Sequence, residues 1–198
     1  MYEYDNQEMS NGGSLDQEAF VLEYGLADYL YLSLRLGRMS WDTTPGAGGR
    51  FDAGDAWGLG VGSVIPVDAW TCGDFSFDLG WSFYYDHATP DDRNKASSLP
   101  DSAEIEWWQT SGAAYSKWRN VCGYLGGRYT QVDLTYTHPA GTGGTRRGGF
   151  QEDKPFNLFV GAGATFFDAL VLRAEWQFTD IEAYELSIYY SLPLGDIL

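Results

Sequence analysis

The sequence predicts an all-β protein, an antiparallel up-and-down transmembrane β-barrel of eight to ten strands. Three observations carry that prediction. The first is strict two-residue alternation, clearest between Phe156 and Leu192, where three successive segments each have one apolar face and one polar or glycine face. The second is length, since these runs reach roughly 9 to 11 residues or more, which is what a tilted strand needs to cross a hydrocarbon core. The third is the chemistry of the two faces. Aromatic rings stand near the ends of the apolar rows, as girdles at a membrane interface do, and charges occupy the opposite rows, where a barrel encloses and pairs them. A soluble sandwich also alternates, but it turns its charges to water.

Composition bounds the function. The 198 residues suffice for one domain, and 12 basic against 28 acidic residues leave a net charge of −16, which speaks against a nucleic-acid partner. Aromatics make up 17% of the chain and glycine contributes 25 residues, with no apolar run long enough for a membrane helix. That last test is blind to barrels, because alternating strands average to modest hydropathy. The N-terminus, Met1 to Asp5, is acidic and has no apolar leader, so the numbering is expected to begin on a mature or recombinant chain.

In chain order, residues 1–17 read as a polar N-terminal segment in which Tyr2 and Tyr4 alternate and offer a short first strand. Residues 18–192 read as the barrel and 193–198 as a tail. Phe20, Leu22, Tyr24 and Leu26 form one face of a strand, a tight turn is read at Gly25 to Asp28, and Leu30, Leu32, Leu34 and Leu36 begin the next, opposed by Tyr31, Ser33 and Arg35. A loop at 42–50 leads to Trp57, Leu59, Val61 and Ile65 facing outward, with Gly58, Gly60 and Gly62 inward, where they leave room for large opposing side chains. Phe75 to Tyr85 is the most aromatic strand. The sequence then reads Asp86 to Asp101 as a charged loop, Ala103 to Thr110 as a strand and Gly112 to Asn120 as a turn. Tyr124 to Tyr136 follows as a strand with a bulge at Gly126-Gly127, and Thr137 to Pro155 as a Gly-rich loop. Nine strands are read in this way; a tenth from Tyr2 to Asp5 is preferred over eight, because bacterial single-chain barrels have even counts.

The phrases Glu23-Tyr-Gly-Leu-Ala-Asp-Tyr-Leu30 and Trp176-Gln-Phe-Thr-Asp-Ile181, with the alternating final strand, resemble small bacterial outer-membrane barrels of the OmpA/OmpX-like superfamily. The resemblance implies a location in the bacterial outer membrane. One departure is the end Leu192-Pro-Leu-Gly-Asp-Ile-Leu198, where such barrels usually close on an aromatic residue. Short turns then belong to the periplasmic side and long loops to the outside, which brings Cys72 and Cys122 to one side, where a disulfide is geometrically coherent.

Chemistry-bearing residues are few. Arg35, Asp78, Arg173, Glu175 and Glu185 fall on inward faces, and because an isolated buried charge is costly they are expected to pair, either as filling or along a narrow ion path. Arg38 breaks the outward apolar row of its strand at the height of the outer headgroups, where it could meet lipopolysaccharide phosphate or simply snorkel. His87 and His138 lack the neighbouring serine of a lipid-deacylating barrel enzyme. Asp86, Asp91 and Asp92 could hold calcium but read better as a solvated loop. Arg146-Arg147 make no basic patch, and the surrounding glycines make no phosphate loop. The expectation is therefore a non-enzymatic surface or structural membrane protein, with no catalytic residue, metal or cofactor. Its expected partners are outer-membrane lipid or lipopolysaccharide and another envelope protein. A narrow pore, a lipid-modifying enzyme and a soluble ligand-binding barrel are the alternatives.

Overall fold

A computed structural model describes residues 2–8, 14–27, 29–42, 50–67, 75–92, 102–140, 144–151, 156–167, 170–179 and 182–190. The described residues form eleven strands: β1 (Tyr2–Glu8), β2 (Ser14–Ala27), β3 (Leu30–Asp42), β4 (Arg50–Pro66), β5 (Phe75–Asp92), β6 (Ser102–Trp118), β7 (Val121–Ala140), β8 (Gly144–Gln151), β9 (Phe156–Phe166), β10 (Leu170–Phe178) and β11 (Glu182–Tyr190). All pairings are antiparallel. β1 pairs with both β2 and β11, and β6 with both β5 and β7, so the sheet closes on itself. One edge of β7 is shared: Val121–Tyr129 pairs with β9, and Asp133–Ala140 with β8. Ten strands thus make the wall, and β8 forms a hairpin on the far end of β7. The candidate first strand at the N-terminus is the tenth.

The wall has an apolar exterior. Phe20, Leu22 and Tyr24 of β2, Leu32 and Leu36 of β3, Trp57 and Leu59 of β4, Trp81 and Phe83 of β5, and Tyr184, Leu186 and Ile188 of β11 are all exposed, row beside row. So much continuous apolar surface is untenable in water, and this is a lipid-facing wall. Aromatic contacts mark its two rims. Phe75 stacks on Trp118 at 6.0 Å beside the short β6–β7 turn, and at the other end Trp57 meets Tyr85 at 5.9 Å and His87 at 5.6 Å, while Trp108 meets Tyr129 at 5.3 Å. From Phe75 to Tyr85 is ten steps, which on a strand tilted by about 40° spans roughly 25 Å, the height of an outer-membrane apolar band.

Beyond the upper rim the polarity inverts. Glu18, Arg38 and Asp55 lie side by side in register on the outside and are exposed. Inside, at the same end, Leu15, Met39, Trp41, Ala56, Ala88, Ala103, Ile105, Trp107, Val132 and Leu134 pack into one buried apolar cluster. The barrel is a membrane protein below this level and resembles a soluble barrel above it.

Several boundaries differ from those read in the sequence. β2 continues to Ala27, past the turn placed at Gly25. β5 continues through Asp86 to Asp92, so the charged segment from Asp86 begins as wall. β6 runs on to Trp118, leaving Arg119-Asn120 as the turn in place of Gly112 to Asn120. Its outward row there is Gly112, Ala114 and Ser116, too small to register as an apolar face. The Gly-rich segment after Thr137 holds the end of β7 and β8. Gly126-Gly127 carries no bulge, since β6 and β7 stay in register throughout; register shifts fall at Gly25/Ala27, Met39/Trp41 and Asp52/Asp55.

Candidate functional site

The lumen is the candidate site, and cross-strand register builds it in layers. The layer at the long-loop end is apolar: Met39, Ile105 and Val132 are 0% exposed, Leu15 and Trp107 1%. These side chains come from β2, β3, β6 and β7 and belong to one buried cluster inside the barrel.

Below that layer lies an ion pair. The register runs Val21, Arg35, Gly58, Asp86, Trp107 across five strands, which sets Gly58 between the two charges. A Cβ at Gly58 would fall 2.0 Å from Oδ1 of Asp86, so the missing side chain is the space through which the pair forms. Nη1 of Arg35 donates to Oδ2 of Asp86 at 3.2 Å, and Nε2 of Gln17 donates to Oδ1 at 3.4 Å. Between β9 and β10, Nδ2 of Asn157 donates to Oε1 of Gln177 at 3.3 Å.

The next layer solves a conflict of like charges. Glu175 and Glu185 are directly opposite each other on β10 and β11, an arrangement that is unfavourable by itself. Arg128, from β7, holds both, with Nη2 at 2.8 Å from Glu175 and 3.6 Å from Glu185. Arg173, next along β10, lies over the ring of Tyr124 at 4.7 Å, and Arg35 over Tyr84 at 4.0 Å. Inward glycines seat the tyrosines, as the sequence suggested: Tyr84 lies on Gly60, Tyr31 on Gly62 and Tyr124 on Gly161. Among the described residues, Glu23, Tyr31, Arg128, Arg173, Glu175 and Glu185 border a cavity of about 70 Å³. That is space for a few waters. At the short-turn end, Lys117 Nζ meets Asp78 Oδ2 at 2.5 Å.

Of the five charges expected inside, Arg35, Arg173, Glu175 and Glu185 line this one cavity, and Asp78 lies apart from it with Lys117. Arg35 is held by Asp86, Asp78 by Lys117, and Arg173 borders the cavity. Asp86, Lys117 and Arg128, three of the partners, are absent from the inward charges read in the sequence. Each is inward by parity, but Asp86 and Lys117 fell in segments read as loop and turn, and the supposed bulge at Gly126-Gly127 hid the parity of Arg128.

Arg38 is exposed on the outer face between Glu18 and Asp55. Cys122 sits in β7 near the Arg119-Asn120 turn, while Cys72 lies outside the described residues. Asp86 is buried in the lumen and so is not part of a solvated loop or a calcium site with Asp91 and Asp92; no group of three or more metal-ligating side chains occurs among the described residues. His87 is on the outer face, its Nδ1 3.9 Å from Oε1 of Glu104. His138 lies in β7 opposite Arg146, and Arg147 opposite Thr137, with their side chains outside the described residues.

A closed wall, a lipid-facing band and a lumen lined by ion pairs and a buried apolar cluster define a small transmembrane β-barrel. No protein-family model matches the chain, and no curated protein matches its sequence. Among solved structures it is similar to the KdgM porin, at 11% identity and a TM-score of 0.34 over 96% of this chain and 98% of that one. It is also similar to the β-domain of the Bordetella autotransporter Brka, at 13% identity and a TM-score of 0.35 over 96% and 97%.

Proposed function

We propose that this protein is a non-conducting outer-membrane barrel of the OmpA/OmpX-like kind, with a structural or surface-interaction role and no catalytic activity. One observation carries the reading: the apolar layer of Leu15, Met39, Ile105, Trp107, Val132 and Leu134 crosses the lumen above the ion-paired section. Water and ions have no continuous path through such a layer, whereas a porin keeps an aqueous channel. Function then belongs to what the barrel presents outside. The charged collar of Glu18, Arg38 and Asp55 stands at headgroup height, where Arg38 meets lipopolysaccharide phosphate. The extended ends of β5 to β8 reach beyond it toward another envelope component. An outer-membrane location is the one in which single-chain barrels with an even strand count and long loops at one end are built.

Reconstitution in a planar bilayer tests this directly, with a silent membrane expected at any applied voltage. Discrete conductance steps that change when Arg128 or Glu175 is neutralised would instead establish the narrow pore, for which the charged cavity below the plug is the supporting observation.

A further inference from the structure

The outer wall carries a groove near the short-turn end. Its volume is about 460 Å³ and its lining is almost wholly apolar, with Phe77 and Trp118 on one side and Leu125 and Val160 on the other. Small residues make the floor. Ala114 of β6 stands in register with Leu125, and Gly123 of β7 with Ser116 and Ala162, so large rims face each other across positions that have little or no side chain. Adjacent strands lie about 4.8 Å apart, which makes a furrow floored by single positions on two strands about as wide as one hydrocarbon chain.

A cation stands at the end of this groove. Register pairs Trp118 directly with Val121, so Arg119-Asn120 is a two-residue hairpin loop. Arg119 has φ 52°, the left-handed conformation that the first position of such a loop demands and that glycine usually fills. An arginine held there keeps a strained backbone. Its guanidinium lies 5.2 Å from the centre of the Trp118 ring, the same indole that forms a wall of the groove. Apolar furrow and guanidinium are therefore contiguous, within a chain whose net charge is −16.

We infer that this groove is a specific site for one glycerophospholipid, which lays an acyl chain between Trp118 and Leu125 and sets its phosphate against Arg119. The chain of the lipid replaces bulk acyl contacts of similar quality, so the selectivity comes from the phosphate, gripped by a guanidinium at the membrane rim. The inference rests on the reading of the wall as lipid-facing.

The test is native mass spectrometry on protein transferred into mild detergent from vesicles of phosphatidylglycerol and phosphatidylethanolamine. One phospholipid is expected to stay bound. Gly123→Leu fills the floor, and because a Cβ there meets nothing within 4 Å the wall can accept it; retention should fall several-fold. Arg119→Glu should lower it as much, and Arg119→Lys should restore most of it. Equal retention by all variants, equal retention of diacylglycerol, which lacks phosphate, or an oligomer without lipid at this face would overturn the site. Heat-modifiable migration of each variant on a gel shows separately that the barrel itself is intact in lipid.

Discussion

At the scale of residues, the lumen shows how a narrow interior tolerates charge. Arg128 is the clearest case, because it bridges two glutamates that register forces to face each other. Arg128→Leu should destabilise the barrel by about 3 kcal/mol, the usual cost of stranding buried charge, measured as a shift in the urea midpoint in detergent micelles. Arg128→Leu combined with Glu175→Gln should recover part of that loss; an unchanged midpoint in the single variant would mean that lumen water already screens the pair. Arg35 and Asp86 form a second unit, and Arg35→Leu with Asp86→Leu should be less harmful than either alone, for the same reason. The sequence shows Arg35, Glu175 and Glu185 as inward residues, but neither Arg128 nor Asp86, and it does not show which charges pair. Gly58 makes the Arg35–Asp86 pair possible, and that gap exists only when β3, β4 and β5 lie side by side.

At the scale of elements, inward glycine and inward tyrosine work as a set. Tyr124 crosses from β7 onto Gly161 of β9, and Tyr84 from β5 onto Gly60 of β4. A Cβ at Gly161 would fall 2.0 Å from the Tyr124 ring, and one at Gly60 would fall 2.2 Å from Tyr84. Gly161→Val should therefore force the ring aside and cost about 1–3 kcal/mol by overpacking, read as a lower temperature for loss of heat-modifiable migration. Gly123→Val, on the open outer face of the neighbouring strand, should leave that temperature nearly unchanged. β6 illustrates a different limit. Its lower half carries Gly112, Ala114 and Ser116 outward and Ala113, Tyr115 and Lys117 inward, a pattern with almost no contrast between faces. Only its neighbours β5 and β7, both in register to the turn, make it a strand.

At the scale of the molecule, the two halves of the barrel have opposite polarity. In the membrane section the exterior is apolar and the lumen ion-paired; beyond the upper rim the exterior carries Glu18, Arg38 and Asp55 and the interior is the apolar cluster. Removing a large side chain from that cluster tests whether it both supports and seals the barrel. Trp107→Ala should cost about 3–5 kcal/mol as a core truncation, seen in the urea midpoint, and should admit small-ion leak in a planar bilayer where the parent protein is expected to be silent. Loss of stability without leak would show that the remaining apolar layer still closes the lumen.

By itself the sequence determined the fold class, the facing of β2 to β5 and β9 to β11, the tenth strand as a candidate and the glycine sites for large inward side chains, because period-two alternation is a local property of the chain. Tertiary structure decided the rest. In Ile105, Trp107, Val132 and Leu134 the apolar row alternates as clearly as in Phe77 and Leu79, yet it faces inward, since alternation separates two faces without saying which one meets lipid. That assignment depends on how high a residue stands in the closed barrel, and height follows from register and closure among strands far apart in the chain. The same holds for Asp86, Arg128 and Lys117, whose roles arise only from the residues that closure sets across the lumen.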